Sequence, residues 1–450
     1  MSARIRRFIA FWRAKGTVAT ARLVRAKLGA AVAGHPVQAI QDAAALRGAA
    51  NRAQITVPKL LGKRFVAQEP LRTYAIPRPE LPRVSLVTDS IGSGSLFGGV
   101  GTALLFAALL ANRMNATLRI VTRTEAPSPA NAAQILSAYG IELTHEVQFA
   151  FAAHSGADTG LLPAAEAQAS LDIHADELFI TTSWWTTAAT LASVPPASIV
   201  YLLQEDERMF YPFGEDRVQC ERVLRNQQIR FVVNTRLLFE HLVATGLTNL
   251  ERNGLWFEPS FPKTLFHQRP REAGGKKRFF FYARPNNPRN LFHIGLDLID
   301  RAVNEGVLDL AQWDIFLVGK DIPNVSFGDG YMPERCEGLD WEAYADLAGT
   351  IDLGLCLMYT PHPSYPPFDL AASGAVVVTN RFANKQDLSN YSANILCAEL
   401  NTDALVDALR AGVALAQDNE TRTRNLAANG LGADWVQSFE QTLQTLVAQR

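Results

Sequence analysis

The sequence predicts an α/β protein in which two Rossmann-like domains face each other across a cleft, with a helical extension at the N-terminus. The chain has 450 residues, which is too long for one ordinary core. Short apolar strands alternate with helical patterns in two consecutive series, separated by the polar, glycine-bearing segment 270–277. Clusters of glycine, arginine or acidic residues follow several strands, at the edge where parallel sheets bind ligands.

These patterns divide the chain into four parts. We expect a basic helical extension and linker, a first Rossmann-like domain, a second Rossmann-like domain, and a C-terminal helix that crosses back to the first domain. The predicted bounds are 1–75, 76–269, 270–433 and 434–450.

Composition excludes several classes of protein. The formal net charge of −1 gives no general attraction to nucleic acid. No apolar run is long enough for a membrane span. The four cysteines are far apart, so we expect no disulfide framework, and this cysteine pattern fits a protein of the reducing cytoplasm. The histidines form no paired spacing, so we expect no metal site. No P-loop, GxSxG, HExxH or CxxC motif is present.

The N-terminal extension is strongly basic. Residues 1–41 contain eight arginines and lysines and no acid. Two interpretations stay open for residues 1–57. They can lie on an anionic membrane surface, or they can form a helical arm that packs on the body of the protein.

The first domain is predicted from five strands and from a glycine-rich loop. The strands are expected at 84–88, 118–122, 178–182, 198–203 and 229–234, with helices at 98–111 and 132–139 among the elements between them. In the loop 92–102, Gly98 and Gly99 let a ligand approach the backbone and the free N–H groups of the next helix. A tight turn without a ligand is the alternative.

Acidic and aromatic residues follow the strand at 198–203. Glu205 and Asp206 stand beside an aromatic run in 204–214, where carboxylates accept hydrogen bonds from hydroxyl groups and aromatic rings stack on sugar faces. Trp184 after the strand 178–182 supports the same interpretation. A solvated turn with apolar anchors, and a core role for Trp184, are the alternatives.

The second domain is predicted from strands 278–282, 313–318, 351–357, 375–379 and 394–397, with helices at 291–305 and 341–348, and the separate C-terminal helix is expected at 435–448. Arg284 lies just past the first of these strands, where a guanidinium can bind a diphosphate with two hydrogen bonds. A surface salt bridge is its alternative. Arg289 fits the same two interpretations, and Asn290 is expected to cap the next helix.

The segment 362–380 carries the clearest signal of function. It predicts a helix opened by Pro366 and Pro367, a stop at Gly374 and a buried strand. Asp369 is expected in the first turn, behind the aromatic residues Tyr365 and Phe368. Such a loop, helix and strand place a helix N-terminus at the edge of a parallel sheet, which indicates a nucleotide-using enzyme.

Four strings give the sequence a resemblance to a known family. They are FYARPNNPRN at 281–290, GLDWEAYADL at 338–347, DLGLCLMYTPHPSYPPFDLAASGAVVVTN at 352–380 and, more loosely, YLLQEDERMFYPFG at 201–214. The chain resembles family-4 glycosyltransferases of the GT-B fold, and among them bacterial rhamnosyltransferases that extend cell-surface glycans. The similarity spans roughly residues 80–430 and is densest in the C-terminal half.

The resemblance implies retaining, metal-independent transfer of a sugar from a nucleotide donor, with dTDP-L-rhamnose expected and no further cofactor. Arg284 would hold the diphosphate, Tyr365 and Phe368 the nucleotide, and Asp369 the deoxyribose hydroxyl. Asp369 stands where the wider family has a glutamate, and a second family glutamate, eight positions earlier, falls on Pro361. Close relatives have a basic residue near the position of Gly338, and Lys320 would take over its contact with the diphosphate. The expected donor-binding residues are Arg284, Lys320, Ser364, Tyr365, Phe368, Asp369, Gly98 and Gly99.

The resemblance also assigns the first domain to the acceptor, a glycan or its lipid-linked precursor. Glu205, Asp206 and Trp184 are the expected acceptor contacts, and Asp206 with Arg284 the expected catalytic residues. The expected location is the cytoplasm, with peripheral attachment to the inner membrane face through residues 1–57. The alternatives are an epimerase or transferase for another sugar nucleotide, and an inactive GT-B-like module that binds glycan.

Overall fold

A computed structural model describes residues 56–92, 98–157, 169–271 and 274–449. Residues 1–65 and 66–450 form separate units, and each is described by itself. In the first unit, helix α1 (Val57–Arg64) has no buried residue, and the Arg64 guanidinium lies 4.8 Å from the centre of the Phe65 ring. Most of the predicted basic extension lies outside the described residues. No helix in the described ranges has the length and apolar character needed to cross a membrane.

The second unit begins with elements that build a parallel sheet. In chain order they are β1 (Thr73–Ala75), β2 (Arg83–Thr88), α2 (Gly99–Arg113), β3 (Thr117–Thr122), α3 (Pro129–Ala138), β4 (Gln148–Phe151), β5 (Leu171–Ile173), β6 (Leu178–Thr181), α4 (Trp184–Leu191), β7 (Ile199–Leu203), α5 (Glu215–Leu224), β8 (Arg230–Asn234), α6 (Arg236–Ala244), α7 (Leu250–Asn253) and β9 (Gly254–Phe257). Seven of these strands form one parallel sheet in the order β4-β3-β2-β6-β7-β8-β9, and β1 pairs with β5.

A second parallel sheet follows. Its elements are β10 (Lys277–Ala283), α8 (Phe292–Asn304), β11 (Trp313–Gly319), β12 (Glu334–Glu337), α9 (Trp341–Ala348), β13 (Leu353–Leu355), α10 (Tyr365–Ala372), β14 (Val376–Asn380), β15 (Ile395–Ala398), α11 (Thr402–Gln417), α12 (Asn419–Ala427) and α13 (Trp435–Ala448). The strand order is β12-β11-β10-β13-β14-β15. The predicted fold class, two Rossmann-like sheets in series, is confirmed.

Short 3-10 turns lie at several strand ends, at Val66–Gln68, Pro196–Ser198, Glu207–Phe210 and Pro288–Asn290. The last of these corrects one expectation. Asn290 does not cap α8, because it ends the 3-10 turn and Leu291 occupies the N-cap position with a left-handed backbone, φ 51°. Asn287 caps the turn instead, through a bond from the Arg289 N–H.

The predicted strands are present to within a residue or two, and the one expected at 351–357 shortens to β13. The central strands β2, β7 and β14 are buried along their whole length, as expected for a parallel sheet covered on both faces. The edge strands β4, β9 and β12 were not predicted. β12 (ERCE) is polar and mostly exposed, so hydrophobicity gives no signal for it.

The C-terminal helix α13 packs on the first sheet's side of the molecule. Phe439 meets Phe106 of α2 edge to face at 5.1 Å and Phe257 of β9 at 4.8 Å, and all three side chains are buried. These contacts tie the last helix to α2, which begins at the glycine loop. The predicted domain bounds at 75/76, 269/270 and 433/434 stay predictions.

Close packing of α8 on β10 yields a prediction for Gly295→Ala. A Cβ at Gly295 would lie 2.2 Å from Cζ of the buried Phe281 ring, so we expect the substitution to lower the free energy of unfolding by about 1–3 kcal/mol. Urea unfolding measures it. Asp297→Ala, on the exposed side of the same helix, should change stability by less than about 0.5 kcal/mol; equal effects of the two variants would contradict the packing.

Candidate functional site

The carboxyl ends of the two sheets meet along a seam, and Tyr365 is the side chain that crosses it most directly. Tyr365 begins α10, and its hydroxyl lies 2.6 Å from Thr102 Oγ1 of α2 and accepts a bond of 2.9 Å from Asn234 Nδ2 at the end of β8. Burial raises the pKa of Tyr365 well above its ordinary value. The phenol therefore stays neutral and fastens the second sheet to the first.

A charged bridge crosses the same seam. Glu205 follows β7, and its Oε2 lies 3.1 Å from Arg289 Nη1 and accepts a bond of 3.2 Å from Thr360 Oγ1. The Arg289 guanidinium also stacks 4.1 Å from the centre of the Phe210 ring. Burial raises the pKa of Glu205 to about 7, although the Arg289 charge opposes the rise.

Behind the bridge lie two buried nitrogen bases, His362 and Lys385. Burial, with Lys385 and Arg289 nearby, lowers the pKa of His362 to about 3, so the ring is neutral. Its Nδ1 accepts a bond of 3.0 Å from the Ser364 N–H, which assigns the ring proton to Nε2. Among the described residues that Nε2–H has no hydrogen-bond partner. Lys385 donates to the Met358 carbonyl at 2.9 Å, and burial lowers its pKa to about 8.

Asp369 is a second buried carboxyl group at the seam. It accepts a bond of 2.9 Å from the Tyr344 hydroxyl. Burial raises the pKa of Asp369 to about 8, with the Tyr344 bond acting against the rise, so the group is mostly protonated at neutral pH. The sequence placed Asp369 in the first turn of its helix. Because α10 starts at Tyr365, Asp369 lies in the second turn instead.

Asp369 lines a small cavity between the two sheets. The cavity is lined by Gly98, Gly101, Thr102, Leu105, Ile135, Tyr139, Ser260, Phe261, Phe266, Trp341, Tyr365, Asp369 and Trp435. Tyr139 contacts Trp341 with ring centres 5.6 Å apart and Trp435 at 6.3 Å. Helices from both sheets and the C-terminal helix thus enclose an aromatic space with one carboxyl group.

Arg284 lies at the end of β10, as expected. Its Nη1 donates to the Tyr282 hydroxyl at 3.3 Å, and no carboxylate of the described residues lies within ion-pair distance of it. Tyr282 is close enough to both Arg284 and Asp369 for each charge to affect its pKa, which burial raises. Tyr282 therefore connects the guanidinium with the Asp369 side of the seam.

The other residues expected to bind the donor occupy different environments. Gly98 is the N-cap of α2 with φ 72°, and a Cβ at this position would lie 3.6 Å from the Tyr365 ring. The Gly99 carbonyl accepts a hydrogen bond from Gln204 Nε2. Ser364 has φ 73° before α10. Lys320 is exposed.

Phe368 is fully buried against Phe261 and Tyr391, so its ring belongs to the core of the second sheet. Residues 93–97 of the glycine loop lie outside the described residues.

The residues expected to bind the acceptor separate into two groups. Glu205 is in the seam. Asp206 pairs with Arg208 at 2.7 Å inside the first sheet's layer, and Trp184 is buried with its Nε1–H bonded to the Tyr211 hydroxyl at 2.9 Å. Burial acts to raise the pKa of Asp206, but bonds from His241 and Arg208 lower it to about 2. The structure places Asp206 and Trp184 in internal contacts.

Sequence reasoning missed four residues of the seam: Thr360, Lys385, Tyr344 and Asn234. Each of these four residues has a hydrogen-bond partner that lies 25 to 155 positions away in the chain. The string 352–380 pointed to the loop around His362 and Thr360 but not to their roles. No group of three or more side chains in the described ranges has an arrangement that could hold a metal ion.

Comparisons with known proteins agree on the fold. Residues 83–236 match the N-terminal domain of WsaF and residues 277–410 match its C-terminal domain, so the chain carries both in the same order. The O-antigen biosynthesis protein RfbC of Myxococcus xanthus is 30% identical over 291 residues, which are 64% of this chain and 21% of that protein. The chain thus spans about a fifth of the length of this relative.

Solved structures resemble the chain across both sheets. Sucrose-phosphate synthase from Thermosynechococcus elongatus has a TM-score of 0.54 at 13% identity, covering 82% of this chain and 100% of that one. Anabaena HepE in complex with UDP and glucose also has a TM-score of 0.54 at 13% identity, covering 81% and 99%. The trehalose-phosphate synthase of Burkholderia vietnamiensis has 0.52 at 12%, covering 83% and 99%. Identities this low show the fold alone, which is GT-B.

The Asp206–Arg208 pair yields a prediction for Asp206→Asn. A folded-state pKa of about 2 lies below the usual aspartate value of 3.8, so the carboxylate stabilises the fold above about pH 4 and loses this effect as pH falls toward 2. We expect the variant to lose about 2 kcal/mol of unfolding free energy at pH 7, measured by urea unfolding, and less at pH 3.

Asp403→Asn is the control, since Asp403 pairs with Arg301 on the surface and is 83% exposed. An Asp206→Asn variant that keeps wild-type stability but loses catalytic turnover would instead favour a direct contact with substrate.

Proposed function

This chain is a WsaF-like protein with the GT-B fold, and we propose that it is a glycosyltransferase that moves a sugar from a nucleotide donor to a cell-surface glycan or its lipid-linked precursor. The observation that carries the proposal is the position of Arg284, which has no described carboxylate partner and donates to Tyr282, a residue whose pKa is affected by both Arg284 and the buried Asp369 of α10. The O-antigen role in the name of the RfbC relative supports the glycan as product. L-Rhamnose from dTDP-L-rhamnose is the donor sugar we propose.

The diphosphate of the donor is assigned to two arginines at the carboxyl edge of the second sheet. Arg284 follows β10, and Arg289 lies in the 3-10 turn five residues later. As the glycosidic bond breaks, negative charge grows on the leaving diphosphate, and fixed guanidinium groups stabilise it more in the transition state than in the ground state. Lys320 is a weaker third candidate because its side chain is exposed.

The nucleoside is assigned to the side of the seam where Asp369 lies. A protonated carboxyl group can both donate to and accept from a deoxyribose hydroxyl, and the Tyr344 hydroxyl holds it in place. Tyr365 and Gly98 border the same space, and we assign Ser364 and Gly99, their neighbours in the chain, to the donor as well. Phe368 would act from behind, by packing α10.

The acceptor is assigned to the first sheet's side of the seam. Glu205 is the carboxyl group that faces the second sheet there, whereas Asp206 and Trp184 would act by holding the loop after β7 in position. Transfer with retention and without a metal ion is part of the proposal. We further propose a cytoplasmic enzyme, attached at the inner membrane face through residues 1–57.

A glycan-binding module without activity is the second candidate, and Gly338 favours it. Gly338 has φ 67° and open space where a Cβ would stand, so no basic side chain projects from this position. Mass analysis of products from the purified protein with a panel of sugar nucleotides and glycan acceptors separates the two. Transfer or hydrolysis of a donor establishes the enzyme, and absence of both with retained glycan binding establishes the module.

Arg284→Ala tests the assignment of the leaving group. Loss of one prearranged donor to a developing charge typically costs about 3–4 kcal/mol of transition-state stabilisation, so turnover should fall roughly a hundred-fold or more. Initial rates at saturating donor measure it. The control is Arg301→Ala, an arginine of α8 paired with Glu305, which should keep the wild-type rate. A similar rate for both variants would rule Arg284 out.

A further inference from the structure

The Glu205–Arg289 bridge places a carboxylate on an arginine that the proposed function assigns to phosphate. The side chains of Glu205 and Arg289 are only 10% and 22% exposed, so the pair is shielded from solvent ions. The two residues come from different sheets. Within the described residues the bridge therefore closes the seam where the donor's diphosphate would bind.

The groups that face Glu205 come from three other segments. Arg289 and Thr360 contact its Oε2 directly. The Lys385 charge acts on Glu205 from the loop after β14, and His362 lies near both Lys385 and Arg289. On its own segment, the Asp206 N–H donates to Oε1 at 3.2 Å. The surroundings hold the cations Arg289 and Lys385 and an unused Nε2–H donor on His362. Two further carboxyl groups lie on the segment of Glu205: Asp206, which is paired with Arg208, and Glu207, whose pKa burial raises to about 8, so that it is mostly protonated at pH 7. This set of groups suits a ligand rich in anionic oxygen.

We propose that Glu205 is an internal stand-in for the donor: its carboxylate occupies Arg289 until a diphosphate displaces it, and the displaced carboxylate is then protonated from solvent. This inference rests on the proposed function, because it takes the ligand to be a nucleoside diphosphate or its sugar ester. The exchange breaks the Glu205–Arg289 ion pair, forms a phosphate–Arg289 ion pair, and forms an O–H bond on Glu205. The proton neutralises the displaced carboxylate, and the Arg289 charge is left to the diphosphate.

The direction of proton transfer follows from the charges. Burial raises the pKa of Glu205 to about 7, and Arg289 is the first influence that lowers it. A diphosphate on Arg289 removes that influence and adds negative charge, so the pKa of Glu205 rises above 7 in the complex. A group half ionised at pH 7 then binds about half a proton. Binding that requires protonation weakens by about tenfold between pH 6 and pH 8.

Isothermal titration calorimetry at pH 7, with dTDP and UDP as probes in buffers of different ionisation enthalpy, measures the protons bound. The terminal phosphate of a free nucleotide itself titrates near pH 6, and Lys385 with its lowered pKa adds a smaller uptake. Glu205→Gln removes the contribution of Glu205. Because the Glu205 charge raises the pKa of Lys385, the same substitution in a Lys385→Met background excludes a compensating uptake by Lys385. We expect Glu205→Gln to take up about half a proton less than wild type, and to bind about tenfold tighter than wild type at pH 8 but equally at pH 6.

Glu258→Gln is the matched control. Burial raises the pKa of Glu258, and its carboxylate accepts bonds from the Tyr391 hydroxyl at 2.9 Å and from the Arg236 N–H at 3.0 Å, not from Arg289. This variant should bind protons and nucleotide like wild type. If Glu205→Gln fails to fold, the proton uptake of wild type is measured with dTDP-L-rhamnose and UDP-glucose as ligands. The diphosphates of these sugar nucleotides do not titrate near pH 7, so any proton taken up on binding goes to the protein.

Two results would overturn the inference, and they differ in what they say of the proposed function. Binding of nucleotide by wild type with the same proton uptake as Glu205→Gln would remove the stand-in role and leave the glycosyltransferase proposal intact. Absence of binding heat with all four nucleotides, for wild type and for Glu205→Gln alike, would reject the nucleotide site itself.

Discussion

The seam between the two parallel sheets is the constraint on which the rest of this structure depends. Parallel sheets gather their strand ends at one edge, and two such edges facing each other bring polar backbone and charged side chains into a shielded space. Each buried polar group there needs a partner. Tyr365 obtains its partners from the first sheet, and Glu205 obtains Arg289 and Thr360 from the second. Both domains therefore complete one site.

Four buried carboxyl groups show how the partner, rather than burial alone, sets the charge. Asp206 has bonds from His241 and Arg208, and its pKa falls to about 2. Glu205, with one arginine at the edge of the seam, has a pKa of about 7. Glu207 and Asp369 have no ion pair in the described ranges, and burial raises the pKa of each to about 8. Near neutral pH the site and the layer behind it thus contain an ionised group, Asp206, a half-ionised group, Glu205, and two mostly protonated groups, Glu207 and Asp369.

This gradation fits a site for an anionic sugar nucleotide. A fixed carboxylate beside the phosphates would repel them, whereas a carboxyl group that can be neutral does not. In the described structure the Nε2–H of His362 has no acceptor, and Arg284 donates to a tyrosine hydroxyl but has no carboxylate partner. Their presence in a buried seam has a simple explanation if the ligand brings the acceptors.

The sequence alone determined the α/β alternation, the two-domain organisation, the loop, helix and strand at 362–380, and the place of Arg284 at a strand end, because these depend on local hydrophobic period and on glycine and proline geometry. It failed for β12, whose polar residues carry no period, and for Asp369, which it placed one turn too early. Only the tertiary structure decided that Glu205 meets Arg289, that Asp206 is held by Arg208 and His241, and that Lys385 is buried beneath the seam. The Glu205–Arg289 contact depends on which strand ends face each other across the two sheets, and the other two depend on packing within one sheet's layer. No local pattern in the chain encodes either kind of neighbour.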